Sequence, residues 1–276
     1  MIPIYFHKYH AFGNAYTVIP DWPKQISLTT AGIQTLCHSA YGLGGDGLLI
    51  PPKSVENNTD RFPIRIYNPD GSEAEKSGNG LSIFAAYLHQ TTAALPPMFA
   101  IMIEQAEVIV HNHQTQPDHS IAITVDMGAP IYFPPIQLKV DDQLLTAYPI
   151  SMGNPHCVIF GRFSADQVAY YGPLIETDPA FPNRTNVQFV EVQDQQNIAL
   201  QIWERGAGYT LASGSSACAT FAACHQLGLV NPAVNLHMPG GVLPAQLTPN
   251  NHIVIQNKVQ PIANGRVYLP TEPIIK

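Results

Sequence analysis

Residues 75–88, EKSGNGLSIFAAYL, have a near counterpart at residues 210–224, TLASGSSACATFAAC. Each is a turn of small residues headed by a serine, Ser77 or Ser213, that runs directly into an alanine-rich apolar segment of helical character. The likeness extends upstream, where FGNAYTVI (12–19) aligns with MGNPHCVI (152–159), each ahead of one serine turn at a similar distance. The order strand, loop, polar segment (IYNPDGSEAE or IWERGAGYTL), serine turn, helix, strands recurs, so the chain reads as an internal duplication. The first copy covers about residues 1–127 and the second 145–263. Residues 128–144, around Pro134 and Pro135, are expected to connect them, and a last strand at 264–276 is free to return to the first copy.

Alternating or continuous apolar runs rich in β-formers predict strands at FPIRIYN, MFAIMIE, EVIVHNH, SIAITVDM, HCVIF, VQFVEV, IALQIWE, VNLHM and HIVIQN. Helices are fewer. SLTTAGIQTLCHSAY, opened by a Ser cap, is one, and the segments after Gly80 and Gly214 are the others. A strand-rich pattern without βαβ alternation implies an α+β fold of two pseudo-symmetric lobes. Each lobe is expected to wrap a sheet around a central helix, with the active site in the cleft between them.

The chain has 276 residues, 45% of them hydrophobic, enough for two cores. A net charge of -7 with no Lys or Arg run argues against nucleic acid or a membrane face as partner and favours a small molecule. No secretory leader and no spanning apolar run are expected, so a cytoplasmic protein is the reading. Cys37, Cys157, Cys218 and Cys224 lack metal-ligand spacing and read as buried free thiols. His7 with His10, and His111 with His113, lack the acidic or thiol companions of a metal site and read as strand and loop residues. No metal or organic cofactor is implied. GLGGDG, Gly42–Gly47, lacks the Lys-Ser/Thr ending of a phosphate loop and reads as a structural turn, with Asp46 as a local hydrogen-bonding residue.

A Ser-Gly-Asn-Gly turn opening a helix offers unpaired backbone amides backed by the positive end of the helix dipole. Such a place suits a carboxylate, and two of them could hold one carboxylate with Ser77 and Ser213 on opposite faces of the carbon it is attached to. Taken singly, each serine is as well explained as an N-cap; the duplication is what favours the functional reading.

The motifs HAFGN, GLGGDG, IYNPDGSEAEKSGNG, MGNPHCVIF, NRTNVQFVEV, IWERGAG and LASGSSACA, in this order over nearly the whole chain, resemble the diaminopimelate epimerase family. The resemblance implies a cofactor-independent isomerase that inverts an amino-acid α-carbon by two-base proton transfer, LL- to meso-diaminopimelate, in lysine and peptidoglycan biosynthesis. It implies catalytic roles for Ser77 and Ser213 and assistance from His156 and Glu204. It also implies an α-carboxylate cradle from Gly78, Asn79, Gly214 and Ser215, and substrate contacts from Asn14, Asn68, Asn154, Asn186 and Arg205. Arg205 suits bidentate capture of a distal carboxylate. The oligomeric state is left open, a homodimer included.

In this family both turns are headed by cysteine, one thiolate base and one thiol acid; here both are serine. A thiol with a pKa of about 8.5 can be brought to thiolate by a helix N-terminus, whereas a hydroxyl needs an adjacent base, so the chain as written is expected to epimerise very badly. Two explanations stay open. Either near-isosteric replacement of both thiols gives an inactive site, which retention of every other feature favours, or the serines are natural and serve other chemistry. The related proline racemase and hydroxyproline dehydratase group, where Ser or Thr replacement supports elimination, exemplifies the second. A racemase of another amino acid such as histidine, and a ligand-binding protein without activity, complete the alternatives.

Overall fold

The computed structural model describes residues 3–52, 60–74, 76–104 and 106–269. The chain divides into two compact units, Met1–Val125 with Asn257–Lys276, and Asp126–Gln256.

The first unit comprises β1 (Pro3–Ala11), β2 (Asn14–Val18), α1 (Thr30–Cys37), β3 (Gly47–Ile50), β4 (Arg61–Pro63), β5 (Arg65–Tyr67), α2 (Gly78–Thr91), β6 (Phe99–Ile103), β7 (Ala106–Thr115) and β8 (Ile121–Asp126). Strand β2 pairs antiparallel with β1 and parallel with β3, which pairs antiparallel with β5. Strand β6 pairs parallel with β4 and antiparallel with β7, which in turn pairs with β8.

The second unit repeats this plan with β9 (Ile131–Tyr132), β10 (Ile136–Val140), β11 (Gln143–Ser151), β12 (Pro155–Phe160), α3 (Ala165–Glu176), β13 (Asn186–Val192), β14 (Asn197–Glu204), β15 (Gly208–Thr210), α4 (Gly214–Gln226), β16 (Ala233–Met238) and β17 (Gly241–Leu247). Strand β12 lies antiparallel to β11 and parallel to β13, which is antiparallel to β14; β16 is parallel to β14 and antiparallel to β17. The last strand, β18 (Ile253–Tyr268), begins on β17 and ends antiparallel to β1.

The repeat in the sequence is therefore a repeat in pairing: antiparallel, parallel, antiparallel, with a helix between the two parallel strands. α1 packs Ile33 and Leu36 onto Ile4, Leu48 and Ile50. α3 packs Val168 and Ile175 onto Cys157, Ile159, Val187 and Phe189. Each fully buried Leu, Ile or Phe contributes about 1.5–3 kcal/mol.

α2 and α4 are the enclosed helices of their units. From Gly78 to Ala86 every residue of α2 is buried, and so is every residue from Gly214 to Cys224 of α4. An all-round buried helix must be apolar or small on every side: α4 packs Gly, Ser, Ala, Cys and Thr around Phe221, and α2 packs Gly, Ser and Ala with Leu81, Ile83, Phe84 and Leu88.

Four expectations are corrected. α1 is capped by Thr29, whose side chain accepts from the Gly32 amide, and not by Ser27. FPIRIYN is two strands, β4 and β5, which break at Ile64 and pair with different neighbours, β6 and β3. α3 was not expected as a helix. Residues 128–144 are no bare connection, since they carry β9, β10 and the start of β11 and cluster with the second unit. Of the expected terminal strand at 264–276, the part after Leu269 lies outside the described residues.

Candidate active site

In the first unit, β2 delivers Asn14 and Tyr16 to the start of α2. Ser77 takes the extended backbone of an N-cap (φ -138°, ψ 113°), and its Oγ accepts from the Gly80 amide at 3.1 Å. The same Oγ donates to Tyr16 Oη at 3.1 Å. Asn79 Nδ2 donates to Asn14 Oδ1 at 3.2 Å, so two of the expected substrate contacts are joined to each other beside Gly78. Gly80 keeps this seat open, because a Cβ there would lie 3.2 Å from both Ser77 Cβ and Oγ. Asn68 stands in the turn after β5, where its Nδ2 donates to Ser72 Oγ.

The GLGGDG turn braces this corner. Asp46 Oδ2 accepts from the Ala15 amide and the Asp46 amide donates to the Ala15 carbonyl, both at 2.6 Å, so Asp46 bonds across 31 residues where a local partner was expected. Gly47 is Tyr16's partner in the β2–β3 register, and a Cβ on it would come within 2.5 Å of the Tyr16 ring.

In the second unit, Ser213 has the same extended backbone (φ -150°, ψ 125°) at the head of α4 and is 5% exposed, yet its side chain makes no capping hydrogen bond. Neither α2 nor α4 has an acidic residue in its first turn, which leaves both N-terminal dipoles uncompensated and favourable to an anion. Gly214 and Ser215 begin α4, both buried.

His156, 1% exposed on β12, lies between Asn154 Oδ1 (2.9 Å from Nε2) and Gln188 Nε2 (3.1 Å from Nδ1). Gln188 also donates to Ser216 Oγ at 3.0 Å, on the first turn of α4. Asn186 spends both ends of its amide inside the unit: Nδ2 donates to the Pro155 carbonyl at 2.8 Å and Oδ1 accepts from the Arg205 amide at 3.0 Å. Glu204 ends β14 opposite Gly208, and Arg205 Nη1 reaches the Asn183 carbonyl at 3.2 Å.

Three residues outside the sequence expectations organise these groups. Tyr16 and Gln188 are hydrogen-bonded to members of the site. Glu176, 3% exposed at the end of α3, accepts from Trp203 Nε1 at 2.7 Å and from the Gly206 amide at 2.8 Å, and pairs with Arg184, so it fixes the turn that carries Arg205. The sequence signal for Tyr16 was the repeat itself, in which FGNAYTVI places Tyr16 opposite His156 of MGNPHCVI.

The remaining thiols do not replace the absent pair. All four cysteines are buried thiols outside any disulfide. Burial pushes the Cys224 thiol up to about 12, and burial together with Asp46 does the same to Cys37. Burial, with a contribution from Asp178, also raises Cys157 well above the ordinary thiol range. Among the described residues no group of three or more His, Cys, Asp or Glu is placed to hold a metal ion, and no helix is long and apolar enough to cross a membrane. His7 and His10 lie on β1 and His111 and His113 on β7.

The model of the family described as diaminopimelate epimerase matches residues 6–133 and 148–261. The chain is 40% identical to "Diaminopimelate epimerase 2" of a Nostoc species, over 95% of each chain. It is 32% identical to a diaminopimelate epimerase of Moorella thermoacetica, over 95% of this chain and 98% of that one. Its fold is shared with the structure of a predicted epimerase from Pseudomonas aeruginosa (TM-score 0.74, 14% identity, covering 97% of this chain and 100% of that one). A hydroxyproline epimerase from Agrobacterium vitis with bound trans-4-hydroxy-L-proline is similar as well (TM-score 0.72, 13% identity, 96% and 91% covered). On the family match and the 40% identity, the chain belongs to the diaminopimelate epimerase family of isomerases.

Proposed function

We propose that this chain binds diaminopimelate and transfers protons at its α-carbon without an organic cofactor, with Ser77 and Ser213 as the proton-transfer groups. The observation that carries this reading is Ser213. A nearly buried serine in N-cap backbone geometry that does not cap its helix is a poor structural residue, and its hydroxyl is left for something else. The uncompensated starts of α2 and α4 suit the α-carboxylate, with Gly78, Asn79, Gly214 and Ser215 supplying the cradle. Asn14, Asn68, Asn154 and Asn186 serve as polar contacts, and Asn186, accepting from the Arg205 amide, and Glu176, accepting from the Gly206 amide, hold the turn that offers Arg205 to a distal carboxylate. His156 and Glu204 assist the second turn.

A hydroxyl is too weak an acid to be pre-ionised as a thiol is, so turnover of this chain is slow by many orders of magnitude relative to a thiol pair. The test restores both thiols. Ser77→Cys with Ser213→Cys should exchange the α-hydrogen of diaminopimelate with solvent deuterium far faster than the parent, and bind diaminopimelate more tightly than a monocarboxylic amino acid. Absence of exchange with any amino acid in the double variant sinks the reading; equal affinity for both ligand types removes Arg205 as the distal clamp.

A further inference from the structure

We propose that Tyr16 is the positioning residue and proton relay of Ser77, taking in the first copy, with a phenol, the place that His156 fills in the second with an imidazole. Two independent observations meet here. The repeat aligns Tyr16 with His156, and the pairing agrees: each sits on the strand (β2 or β12) held antiparallel on one side and parallel on the other. The geometry then separates the two positions. Where His156 reaches its helix through Gln188 and Ser216, Tyr16 bonds directly to the head serine, Oγ to Oη, at 3.1 Å.

Tyr16 is 6% exposed and its ring is held in place by Gly47 on the parallel neighbour. Its phenol is therefore aimed at Ser77 by the sheet and not by a flexible loop. The Gly80 N–H donates to the same serine oxygen that donates to Tyr16, so the hydroxyl is held from two sides. A separation slightly long for two hydroxyls is usual before substrate tightens the site.

The chemical use follows from relative acidity. A phenol ionises near a pKa of about 10, far below an alkyl hydroxyl. When Ser77 Oγ–H gives its proton to the substrate carbanion, Tyr16 Oη–H gives its own to the serine oxygen. Both O–H bonds break, a C–H bond and a new serine O–H bond form, and the negative charge ends on the phenolate. The reverse sequence removes the α-proton: the phenolate takes the serine proton while the serine oxygen takes the substrate's. A free alkoxide is never formed. The relay gives a serine-headed turn a route that a cysteine-headed turn, which makes its own thiolate, does not need.

This inference rests on the reading of Ser77 as a proton-transfer group, and the experiment separates the two. Tyr16→Phe keeps the ring and removes only the Oη atom; matched unfolding midpoints would certify the fold. α-Deuterium incorporation into diaminopimelate is followed by mass spectrometry, over days where needed, in four chains: parent, Tyr16→Phe, the Ser77→Cys/Ser213→Cys chain, and that chain with Tyr16→Phe, with Ser77→Ala as the zero. The expected result is a loss of about a hundredfold in kcat, with KM little changed, in the serine background, against a change within about threefold in the cysteine background. Equal losses in both backgrounds assign Tyr16 a purely structural part and overturn the relay, as does no loss in the serine background. A parent chain no faster than Ser77→Ala overturns it too, while an active cysteine chain would leave the functional reading standing. Failure of both backgrounds to exchange removes the functional reading and the relay with it.

Discussion

At the residue scale, the glycines of GLGGDG show how a motif can matter for space and not for phosphate. Gly47 needs no unusual backbone angle; what it lacks is room. A Cβ there would lie 2.5 Å from the Tyr16 ring and 2.5 Å from the Tyr67 carbonyl oxygen, and the latter is backbone in the β3–β5 ladder and cannot rotate away. Gly47→Ala should therefore cost about 1–3 kcal/mol by overpacking, and it should also move the Tyr16 ring off Ser77. Gly206 is the contrast: its φ of +78° asks for glycine, but nothing lies within 4 Å of an added Cβ. Gly206→Ala should cost only the left-handed backbone penalty of about 1–2 kcal/mol. Urea unfolding reads both, and an unperturbed Gly47→Ala would mean that β2 and β3 can part without loss. This contact was not readable in the sequence, because it joins two segments through a register that only the folded sheet defines. The serine turns, the GNPH and WERG motifs and the four buried thiols were readable, since each is a local pattern whose chemistry travels with its neighbours.

At the scale of elements, the enclosed helices α2 and α4 were legible from composition alone, and most strands from alternation. α3 was not, although two signals for it stood in the chain. Ser164 and Gln167 form a capping box, with Ser164 Oγ accepting the Gln167 amide and Gln167 Oε1 accepting the Ser164 amide. The repeat, carried one step further, demanded a partner for α1 between β12 and β13. A proline inside a segment argues against a helix, yet Pro173 lies near the C-terminal end and the helix continues past it to Glu176. The end of that helix matters to the site. Gly172 lies so close under Trp203 that a Cβ would meet the indole at 2.5 Å, and Glu176 accepts from Trp203 and from Gly206, so α3, β14 and the turn bearing Arg205 are fastened at one buried carboxylate. Glu176→Ala leaves the Trp203, Gly206 and Arg184 donors without their acceptor and should cost roughly 2–4 kcal/mol. The same change should loosen Arg205, so ligand affinity should fall for diaminopimelate and stay level for a monocarboxylic amino acid. Equal weakening of both ligands would place the effect on the whole unit and not on the Arg205 turn.

Across the whole molecule, the histidines and carboxylates whose affinity for a proton is lowered in the fold fall into two pH windows. Burial lowers the affinity of His7 for a proton, and burial with neighbouring His113 does the same for His89. The contact explains the second: His89 Nδ1 and His113 Nδ1 are 2.7 Å apart, and His113 Nε2 and His89 Nε2 are already engaged with the Pro96 carbonyl and Thr115 Oγ1. One proton fits between the two rings, and two do not. Below a pH of about 6.5 the unfolded chain therefore binds protons that the folded chain refuses, so stability is full above that value and declines as pH falls. A second decline follows at lower pH from carboxylates whose affinity for a proton is lowered in the fold. Asp118 is held ionised first by Lys258 and then by Ser120, Asp70 by Ser72, and Asp194 by the Gln196 amide and Asn197. For these groups the stabilisation is present above the unfolded carboxylate range and is lost as pH falls through their folded values. Thermal unfolding from about pH 8 down to about pH 3 should show two steps of decline. His89→Asn should lower the plateau by removing the Thr115 and His113 bonds while flattening the upper step, and Asp118→Asn should flatten the lower one without touching the upper. A parent stability that rises as pH falls from about 7 to about 5 would reverse the sign of the His7 and His89 contribution.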